Sequence, residues 1–303
     1  MSGRPGRDTR GLIFDIDTFA VHDGPGIRMA VYFKGCPLRC QWCHSPESQS
    51  SEPELVFFAD RCLLCRKCEQ ACSRGGHSFD GGRHYIARDQ CVSCGQCSTA
   101  CPVGAMAIRG RQVTAGSIID KAVRMKPFFD HSGGGVTLTG GEVTAQAGFA
   151  EAILAGLREE GIATAIETAG ACSWETLSRL VDLCDLVLYD IKLIDPDVHR
   201  RCVGADNSRI LDNARRLAGQ NVQIRIPLIP DVTDTQENLE GIFDFLADTG
   251  LNRVELLPLN PSAGAKYDWL DRRQEPVGQP QSPEQLDRFR QLGKGRNLQV
   301  RII

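Results

Sequence analysis

The stretch Lys34-Gly35-Cys36-Pro37-Leu38-Arg39-Cys40-Gln41-Trp42-Cys43-His44 contains three cysteines at CxxxCxxC spacing. It directly follows the apolar run 29–33, which is typical of a buried strand, so the cysteines are expected in a loop at the end of that strand. Three thiolates can hold a four-iron cluster and leave one iron without a protein ligand. An open coordination position distinguishes catalytic metal sites from structural ones, so this loop predicts a reactive metal centre.

Fourteen cysteines are many for a chain of 303 residues, and an even count would suit disulfides in an exported protein. Eleven of them, however, fall between Cys36 and Cys101, which favours metal thiolates in a reducing compartment. The other three, Cys172, Cys184 and Cys202, are scattered, and we expect them to be small buried hydrophobic residues.

Two runs of four cysteines lie within residues 51–106 and have the spacing of bacterial ferredoxins. The first run is Cys62, Cys65, Cys68 and Cys72, and the second is Cys91, Cys94, Cys97 and Cys101. In two-cluster modules the fourth cysteine of each run ligates the other cluster. The predicted ligand sets are therefore Cys62, Cys65, Cys68 and Cys101 for one cluster, and Cys91, Cys94, Cys97 and Cys72 for the other. Zinc is the alternative, but zinc sites use pairs of CxxC motifs and not two runs of four cysteines.

Composition and charge exclude several classes of function. A length of 303 residues is enough for one large α/β domain and a small module, and a hydrophobic content of 42% is ordinary for a globular protein. The net charge of −3 gives no basic footprint for nucleic acid, and no apolar run approaches the roughly 18 residues of a membrane span. No apolar segment after the arginines of residues 1–10 suggests a signal peptide. We expect a cytoplasmic monomer that binds neither nucleic acid nor a membrane.

The remainder of the chain alternates between apolar runs and amphipathic segments. The predicted strands are 11–17, 28–34, 136–139, 163–168, 186–190, 222–226, 253–257 and 298–302. The predicted helices are 117–125, 148–159, 174–183, 208–218, 235–248 and 283–292. Continuous apolar strands separated by helices indicate βαβ units and a parallel sheet, and six units are too few for a closed eight-fold barrel.

The predicted fold is therefore α/β, a partial (β/α)6 TIM-type barrel made of residues 1–50 and 107–303. Residues 51–106 would form an inserted α+β module that is similar to a bacterial ferredoxin. The segment 264–281 is predicted to be a long surface loop.

With His22-Asp23-Gly24-Pro25-Gly26-Ile27-Arg28 before it, the segment "GCPLRCQWCHSPES" resembles the opening of a radical S-adenosylmethionine (SAM) enzyme. More specifically, it resembles an activating enzyme for a glycyl radical enzyme. The resemblance implies a cluster on Cys36, Cys40 and Cys43 that binds SAM as cosubstrate and passes it one electron. SAM then breaks into methionine and a 5′-deoxyadenosyl radical, which takes a hydrogen atom from a backbone glycine of a partner enzyme. With the two inserted clusters, three [4Fe-4S] clusters are expected.

Polar residues follow the predicted strands, where barrel-like α/β proteins place their chemistry. Gly140, Gly141 and Glu142 resemble the SAM-binding GGE of the family, whose backbone and Glu receive the methionine amino group; a plain glycine turn is the alternative. Family members usually have Pro in the next position, where this chain has Val143.

Four charged residues complete the predicted SAM site. By resemblance, Lys192 would bind the SAM carboxylate and Arg225 would contact SAM. Glu167 and Asp190 would orient the ribose or a monovalent cation. The alternative for these charges is a surface ion pair worth about 0–1 kcal/mol, although an Arg within an apolar strand requires a buried anionic partner.

The aromatic residue, the asparagine and the histidines that remain are given no catalytic role. Trp42 would stack near the adenine, with core packing as the alternative. Asn260 stands where relatives commonly have His, so no general base is assigned there. Four histidines are expected to be solvent-facing and are not assigned to metal: His44, His77, His84 and His131.

The sequence thus predicts an anaerobic oxidoreductase that activates a glycyl radical enzyme. The partner would cleave a C–S, C–N or C–O bond, as isethionate sulfite-lyase, choline trimethylamine-lyase and diol dehydratases do. The inserted clusters would relay electrons or help to dock flavodoxin or ferredoxin as the donor. One alternative is a radical SAM enzyme that acts on a small molecule. Another is a plain electron carrier, which leaves the CxxxCxxC loop unexplained.

Overall fold

The computed structural model describes residues 6–275 and 278–303. Residues 1–5, at the start of the first predicted domain, and 276–277, within the predicted loop 264–281, lie outside the described residues. The strands are β1 (Arg10–Ala20), β2 (Arg28–Phe33), β3 (Glu54–Phe57), β4 (His77–Asp80), β5 (Arg83–Ile86), β6 (Met106–Arg109), β7 (Arg111–Thr114), β8 (Gly135–Gly140), β9 (Thr164–Thr168), β10 (Leu186–Asp190), β11 (Val222–Pro227), β12 (Arg253–Leu257) and β13 (Gln299–Ile302).

Ten α-helices and four 3₁₀ helices connect these strands in the described part of the chain. The α-helices are α1 (Lys67–Ala71), α2 (Gln96–Ala100), α3 (Ala115–Ser132), α4 (Ala147–Glu159), α5 (Trp174–Val181), α6 (Pro196–Val203), α7 (Ser208–Arg216), α8 (Gln236–Thr249), α9 (Gly264–Trp269) and α10 (Pro283–Lys294). The 3₁₀ helices are Pro46–Ser48, Ala59–Arg61, Val143–Gln146 and Pro261–Ala263. None of the described helices is both long and apolar enough to cross a membrane.

Nine strands form one sheet in the order β13-β12-β11-β10-β9-β8-β2-β1-β7. The seven strands from β13 to β2 pair in parallel, and β1 and β7 are antiparallel additions at one edge. In the described residues β13 and β7 remain the two edges, so the sheet is open. The predicted α/β class and mostly parallel sheet are confirmed, while the partial-barrel shape stays a prediction.

The parallel strands are rich in buried apolar residues, against which the helices pack. In α8 the buried residues Leu239, Ile242, Phe243 and Leu246 recur at intervals of three and four, which places them on one helix face against the strands. Thr235 begins this helix, since its side chain accepts a hydrogen bond from the Asn238 backbone N–H at 3.2 Å. All six predicted helices are present. Five of them agree with the predicted bounds to within two residues at each end, and α3 extends seven residues beyond its predicted end at residue 125.

The inserted segment between β2 and β7 has its own small elements. Strand β3 pairs with β6, and β4 pairs with β5, both antiparallel, while α1 and α2 each contain five residues. The chain rejoins the main sheet at β7, which pairs with the first residues of β1. This α+β content agrees with the predicted module, whose likeness to a ferredoxin stays a prediction.

The predicted surface loop 264–281 is wrong over its first part, because Gly264–Trp269 forms α9. The Trp269 ring packs edge-on against Phe58 of the inserted segment at a centroid distance of 4.9 Å, and Leu270 is buried beside them. Charged and glycine residues in this segment suggested a loop, but contacts with distant parts of the chain stabilise a short helix. Helix α6 was also missed; Asp195 caps it by accepting hydrogen bonds from two backbone N–H groups.

Lys34 joins the reactive loop to the inserted segment. Its side chain is fully buried, and its Nζ donates to the Glu47 carbonyl at 2.7 Å and to Glu54 Oε2 at 2.8 Å. Burial lowers the pKa of Lys34, and Glu54 opposes that effect. Glu54 also pairs with Arg272, so one partly buried carboxylate holds cations from two distant parts of the chain.

We expect Lys34→Met to lower the free energy of unfolding by about 3 kcal/mol, because a buried pair loses its cation while Arg272 still neutralises Glu54. The measurement is guanidinium unfolding of the anaerobic protein. Lys294→Met, at an exposed position in the last turn of α10, is the matched control and should change stability by less than about 0.5 kcal/mol. Equal effects of the two variants would show that Lys34 does not join these segments.

Candidate active site and iron–sulfur sites

A cavity of about 600 Å³ opens at the carboxyl ends of β8, β9, β10 and β12. Its volume is in the usual range for a ligand site. The predicted site residues in its wall are Cys36, Cys40, Trp42, Cys43, Gly140, Gly141, Glu142, Glu167, Asp190, Lys192 and Asn260. Eleven residues from five separate parts of the sequence therefore surround one space, and only Arg225 of the predicted SAM site is absent from the wall.

Backbone hydrogen bonds fix the CxxxCxxC loop at its start and in its middle. Gly35 N–H donates to the Ser48 carbonyl at 2.7 Å, and Arg39 N–H donates to the carbonyl of Val203 in α6 at 2.8 Å. Helix α9 adds two side-chain bonds, since Lys266 Nζ donates to the His44 carbonyl at 3.0 Å. Tyr267 Oη donates to the Gln41 carbonyl at 3.3 Å. The Gly-x-Lys-Tyr segment thus holds the cysteine loop in place.

The three thiols of this loop are largely buried. Burial raises the pKa of Cys36 to about 12 and that of Cys40 to about 11, and it also raises the pKa of Cys43. Bound iron ionises such thiols, because a metal cation stabilises the thiolate directly. In the described residues the three sulfurs are not close enough together to surround a single ion, a condition that only Cys68, His77 and His84 meet. Three thiolates are the donor set that would hold a four-iron cluster and leave one iron without a protein ligand.

The two glycines of the GGE segment are required by a close approach of two backbones. Gly140 has a φ of +111°, and a Cβ on it would lie 2.4 Å from the Phe33 nitrogen. A Cβ on Gly141 would lie 2.4 Å from the Gly35 carbonyl oxygen. The Glu142 N–H donates to that same oxygen at 2.9 Å, so this segment is packed directly against the start of the cysteine loop.

Glu142 is buried, and protein groups already satisfy its carboxylate. It accepts hydrogen bonds from Thr144 N at 3.1 Å, Thr144 Oγ1 at 2.9 Å, Thr168 Oγ1 at 2.6 Å and Ala169 N at 3.0 Å. Burial raises the pKa of Glu142, while these bonds oppose that effect. Glu142 therefore ties the end of β8 to the end of β9 and caps the 3₁₀ helix Val143–Gln146.

Lys192 and Asp190 form an ion pair at the wall of the cavity, with Nζ and Oδ2 2.8 Å apart. Both side chains are largely buried, so this is not the surface pair considered as the alternative. Burial tends to lower the pKa of Lys192, but Asp190 and the neighbouring cysteines outweigh it, and the net pKa is raised. Lys192 consequently presents a positive charge next to the cysteine loop.

Arg225 lies behind the wall, and its guanidinium is already engaged. It donates to Glu167 Oε1 at 2.7 Å and to Glu255 Oε2 at 3.1 Å, and it also bonds to the His22 carbonyl. Although burial alone raises the pKa of Glu167, Arg225 and the Thr139 hydroxyl hold it below its ordinary value. The predicted buried anionic partners are present. Arg225 reaches the cavity through Glu167 in this arrangement, and its predicted direct contact with SAM stays a prediction.

Trp42 and Asn260 combine a structural contact with a place in the wall. Trp42 is buried among apolar residues of the loop and of α6, including Leu38 and Val203, as the core-packing alternative requires. It also lines the cavity. Asn260 is exposed, and its Oδ1 accepts a hydrogen bond from Ser262 N–H at 3.0 Å, which caps the 3₁₀ helix Pro261–Ala263.

Residues 19–23 line one rim of the cavity, which sequence reasoning did not place, and Arg28 supports this rim from behind. Arg28 is buried; it donates to Thr137 Oγ1 at 2.6 Å and to the Val136 carbonyl at 2.7 Å. The Thr137 hydroxyl in turn donates to the Asp23 carbonyl at 2.6 Å. Burial lowers the pKa of Arg28 to about 10. An arginine directly before the apolar run 29–33 was the available signal, because a charged residue at the start of a buried strand requires hydrogen-bond partners nearby.

In the inserted segment, two small cavities divide the eight cysteines. One cavity is lined by Cys62, Cys65, Cys68 and Cys101, and the other by Cys72, Cys91, Cys94 and Cys97. These are the two predicted ligand sets, including the exchange of the fourth cysteine between runs. The donor sets fit two four-iron clusters, whose presence stays a prediction.

The expectation that His77 and His84 face solvent is wrong. His77 is only 6% exposed, and its Nδ1 lies 2.9 Å from His84 Nε2. The two rings meet because β4 and β5 form a hairpin through Gly81 and Gly82, both at positive φ. Burial lowers the pKa of His84 to about 4. A Gly-Gly pair between short strand-like runs was the signal for this hairpin. His44 and His131 are exposed as expected.

The sequence of the chain was compared with family models and with proteins of known function. Residues 31–246 match the model of the radical SAM superfamily, which is more than two thirds of the chain. The chain belongs to the radical SAM superfamily. It is 40% identical over 299 residues to the trans-4-hydroxy-L-proline dehydratase activating enzyme of Clostridioides difficile, covering 96% of this chain and 98% of that one. It is 38% identical over 295 residues to the isethionate sulfite-lyase activating enzyme of Oleidesulfovibrio alaskensis, covering 94% and 95%.

Within the superfamily the chain groups with activating enzymes of glycyl radical enzymes, which confirms the predicted resemblance. The crystal structure of Streptococcus suis SuiB bound to precursor peptide SuiA aligns with a TM-score of 0.50 at 12% identity. That alignment covers 88% of this chain and 46% of the other, and it shows a likeness of fold alone. Membership of the superfamily implies SAM and one [4Fe-4S] cluster, and the cysteine trio in the cavity wall fits that cluster.

We expect Asp23→Asn to stabilise this radical SAM protein most at high pH. Burial, reinforced by Glu167, raises the pKa of Asp23 to about 6, above its unfolded value of 3.8. Ionisation of Asp23 therefore lowers the stability of the folded protein. The full loss of stability applies above pH 6, and the loss becomes smaller as the pH falls towards 4. The variant should gain about 1 to 2 kcal/mol at pH 8 after allowance for solvent at the rim, and less at pH 5.

Unfolding midpoints of the anaerobic protein between pH 5 and 8 measure this difference. Asp8→Asn, at an exposed position, is the control and should follow the wild type at every pH. A gain that did not depend on pH would mean that the ionisation of Asp23 is not its cause.

Proposed function

We propose that the chain cleaves SAM reductively at a cluster on Cys36, Cys40 and Cys43 and generates a glycyl radical on a partner enzyme. The observation that carries this proposal is the single cavity, in which the three thiols lie beside a cationic Lys192 and the carboxylates of Glu167 and Asp190. When bound, the cluster supplies the electron and SAM supplies the radical that removes the glycine hydrogen. The residues of the chain bind, orient and shield these groups.

Lys192 is proposed to bind the SAM carboxylate. Its ammonium is a compact positive charge in the cavity wall, and Asp190 at 2.8 Å keeps it protonated and limits its motion. Gly140 and Gly141 would offer backbone groups to the methionine amino group, because no side chain lies between their backbone and the cavity. Glu142 would act as a positioning residue, since its carboxylate already accepts four hydrogen bonds from the protein.

Glu167 is proposed to bind the ribose or a monovalent cation. It stays ionised because Arg225 compensates its burial. Arg225 is then a positioning residue that acts through Glu167. Trp42 and Ile229 supply an apolar wall that would shield the reacting groups from water, and Trp42 would contact the adenine. Asn260 would add a neutral hydrogen-bonding group on the opposite rim.

A protein substrate is favoured by the rim of the cavity. Phe19 and Val21 line the opening and are 55% and 62% exposed. Strand β7 covers β1 only from Arg10 to Ile13, so the outer edge of β1 near the opening has backbone groups to which no described strand bonds. An extended loop of the partner could lie along this edge and deliver its glycine into the cavity.

The chemistry of the partner is proposed from the relatives. Their names refer to the activation of isethionate sulfite-lyase, choline trimethylamine-lyase and trans-4-hydroxy-L-proline dehydratase. The partner proposed here is accordingly a lyase or dehydratase that breaks a C–S, C–N or C–O bond. Flavodoxin or ferredoxin in an anaerobic cytoplasm is the proposed electron donor.

The inserted segment is proposed to hold two further [4Fe-4S] clusters in a ferredoxin-like module. Support comes from the two cavities, each lined by four cysteines, and from matched backbone bonds to sulfur. Gly76 N–H donates to Cys72 Sγ at 3.3 Å, and Ala105 N–H donates to Cys101 Sγ at 3.2 Å. These clusters would relay electrons to the cysteine trio or dock the donor.

The function is tested with the anaerobic, reduced protein, SAM and a panel of candidate partner enzymes. We expect 5′-deoxyadenosine and, with the correct partner, the electron-spin signal of a glycyl radical. Cys40→Ala should reduce both at least a hundredfold because the cluster loses a ligand. Cys184→Ala, outside the cavity, is the matched control and should retain both. Normal activity of Cys40→Ala, or deoxyadenosine with no radical on any panel member, would count against an activase.

We expect Val21→Asp to separate partner activation from SAM cleavage. A charge at the exposed rim should weaken docking of an apolar loop and slow glycyl radical formation at least fivefold, with unchanged deoxyadenosine formation in the absence of partner. Val123→Asp, at an exposed position on α3 that does not line the cavity, is the control. Equal radical formation by Val21→Asp and wild type would place the docking surface elsewhere.

A further inference from the structure

The two cysteine sets of the inserted segment are near copies of each other. Cys65 and Cys94 are the exposed members, and Cys68 and Cys97 are the buried members at the equivalent positions. The backbone repeats as well, with positive φ at Leu64 and Arg66 in one set and at Ser93 and Gly95 in the other. Each cavity also has an arginine in its wall, Arg66 in one and Arg74 in the other. Two clusters held so similarly would have similar reduction potentials.

The polar side chains around the two sets differ. Lys67 lines the Cys62 cavity and His77 lines the Cys72 cavity, but in the part of the chain that the structure describes only His84 brings side-chain nitrogens within hydrogen-bond distance of a cysteine sulfur. The ring of His84 lies beside the Cys62 set, with Nδ1 3.7 Å from Cys62 Sγ and Nε2 3.8 Å from Cys68 Sγ. Among the described residues, no side-chain hydrogen bond reaches the sulfur of Cys72, Cys91, Cys94 or Cys97.

The ring of His84 is held in a defined orientation. It stacks on Phe79 at a centroid distance of 4.4 Å and an angle of 10°, and Phe57 contacts it edge-on at 4.7 Å. His77 Nδ1 at 2.9 Å fixes the ring in its plane. In the tautomer in which His77 donates through Nδ1–H, the ring hydrogen of His84 is on Nδ1, 3.7 Å from Cys62 Sγ. In the other tautomer the single Nε2–H of His84 is donated to His77, which leaves no hydrogen for sulfur. A hydrogen bond from His84 to the cluster therefore requires His77 to be the donor of the His77–His84 bond.

We propose that His84, oriented by His77 and Phe79, hydrogen-bonds to the cluster of the Cys62 set and raises its reduction potential above that of the Cys72 set. Hydrogen bonds to the ligating sulfurs stabilise the more negative, reduced cluster, and they are one of the main determinants of its potential. At equilibrium, an electron shared between the two clusters then resides mainly on the cluster of the Cys62 set. This inference rests on the two clusters of the proposed function.

The test is a redox titration of the full anaerobic protein followed by electron-spin resonance, with the signals assigned through Cys101→Ala and Cys72→Ala. His84→Phe keeps the stacking but removes the N–H, so the equilibrium between the two clusters should shift at least tenfold, about 59 mV for one electron, through a lower potential of the Cys62 set. His84→Gln restores a donor and should recover part of the shift. Tyr85→Phe, an exposed neighbour on β5, is the control with no expected shift.

Several results would overturn the inference. These are unchanged potentials in His84→Phe with full iron content, an equal shift of both clusters, or stoichiometric zinc that is lost with His84. If His84→Phe loses iron, His77→Phe replaces it, because it releases the ring and should lower the same potential by a smaller amount. A wild-type protein with one cluster would overturn both this inference and the three-cluster content. A potential shift in a protein that fails to cleave SAM would overturn only the proposed function.

Discussion

The guanidinium of Arg225 is cut off from water and bonds to carboxylates on both sides. Glu167 on β9 and Glu255 on β12 flank it, and the carbonyl of His22 occupies a further donor. Removal of one partner of such a buried pair typically costs about 3–5 kcal/mol, so the three groups must keep their positions together. One side chain thereby fixes the wall of the cavity, through Glu167, to the rim of its opening, through His22.

The parts of the site that follow from local rules could be predicted from the sequence. Because parallel strands all end at the same edge of the sheet, polar residues at their ends converge, and Glu167, Asp190 and Lys192 do line one cavity. The place of Arg225 could not be predicted, because its partners Glu255 and His22 are 30 and 203 positions away in the sequence. Sequence spacing identifies a strand end, whereas the direction of a buried charge depends on which opposite charge the fold brings near.

Short elements show the same limit. Helix α9 begins at a glycine and carries charged residues, so its sequence is typical of a loop, but Trp269 packs on Phe58 of the inserted segment. The histidines of β4 and β5 were interpreted singly, whereas the hairpin turns them into a hydrogen-bonded pair beside cysteine sulfur. In each case the stabilising contact is made by a residue from a different segment, which local propensity does not record.

The burial of Lys34 has a consequence for anyone who wishes to trim the protein to a minimal catalytic unit. Deleting the insertion would remove Glu54 and leave an ammonium group enclosed in the interior, next to the loop that carries the reactive cysteines. Arg272 would lose its carboxylate at the same time. A shortened version would therefore need a replacement anion at the splice point, or an apolar residue in place of the lysine, before its core could close.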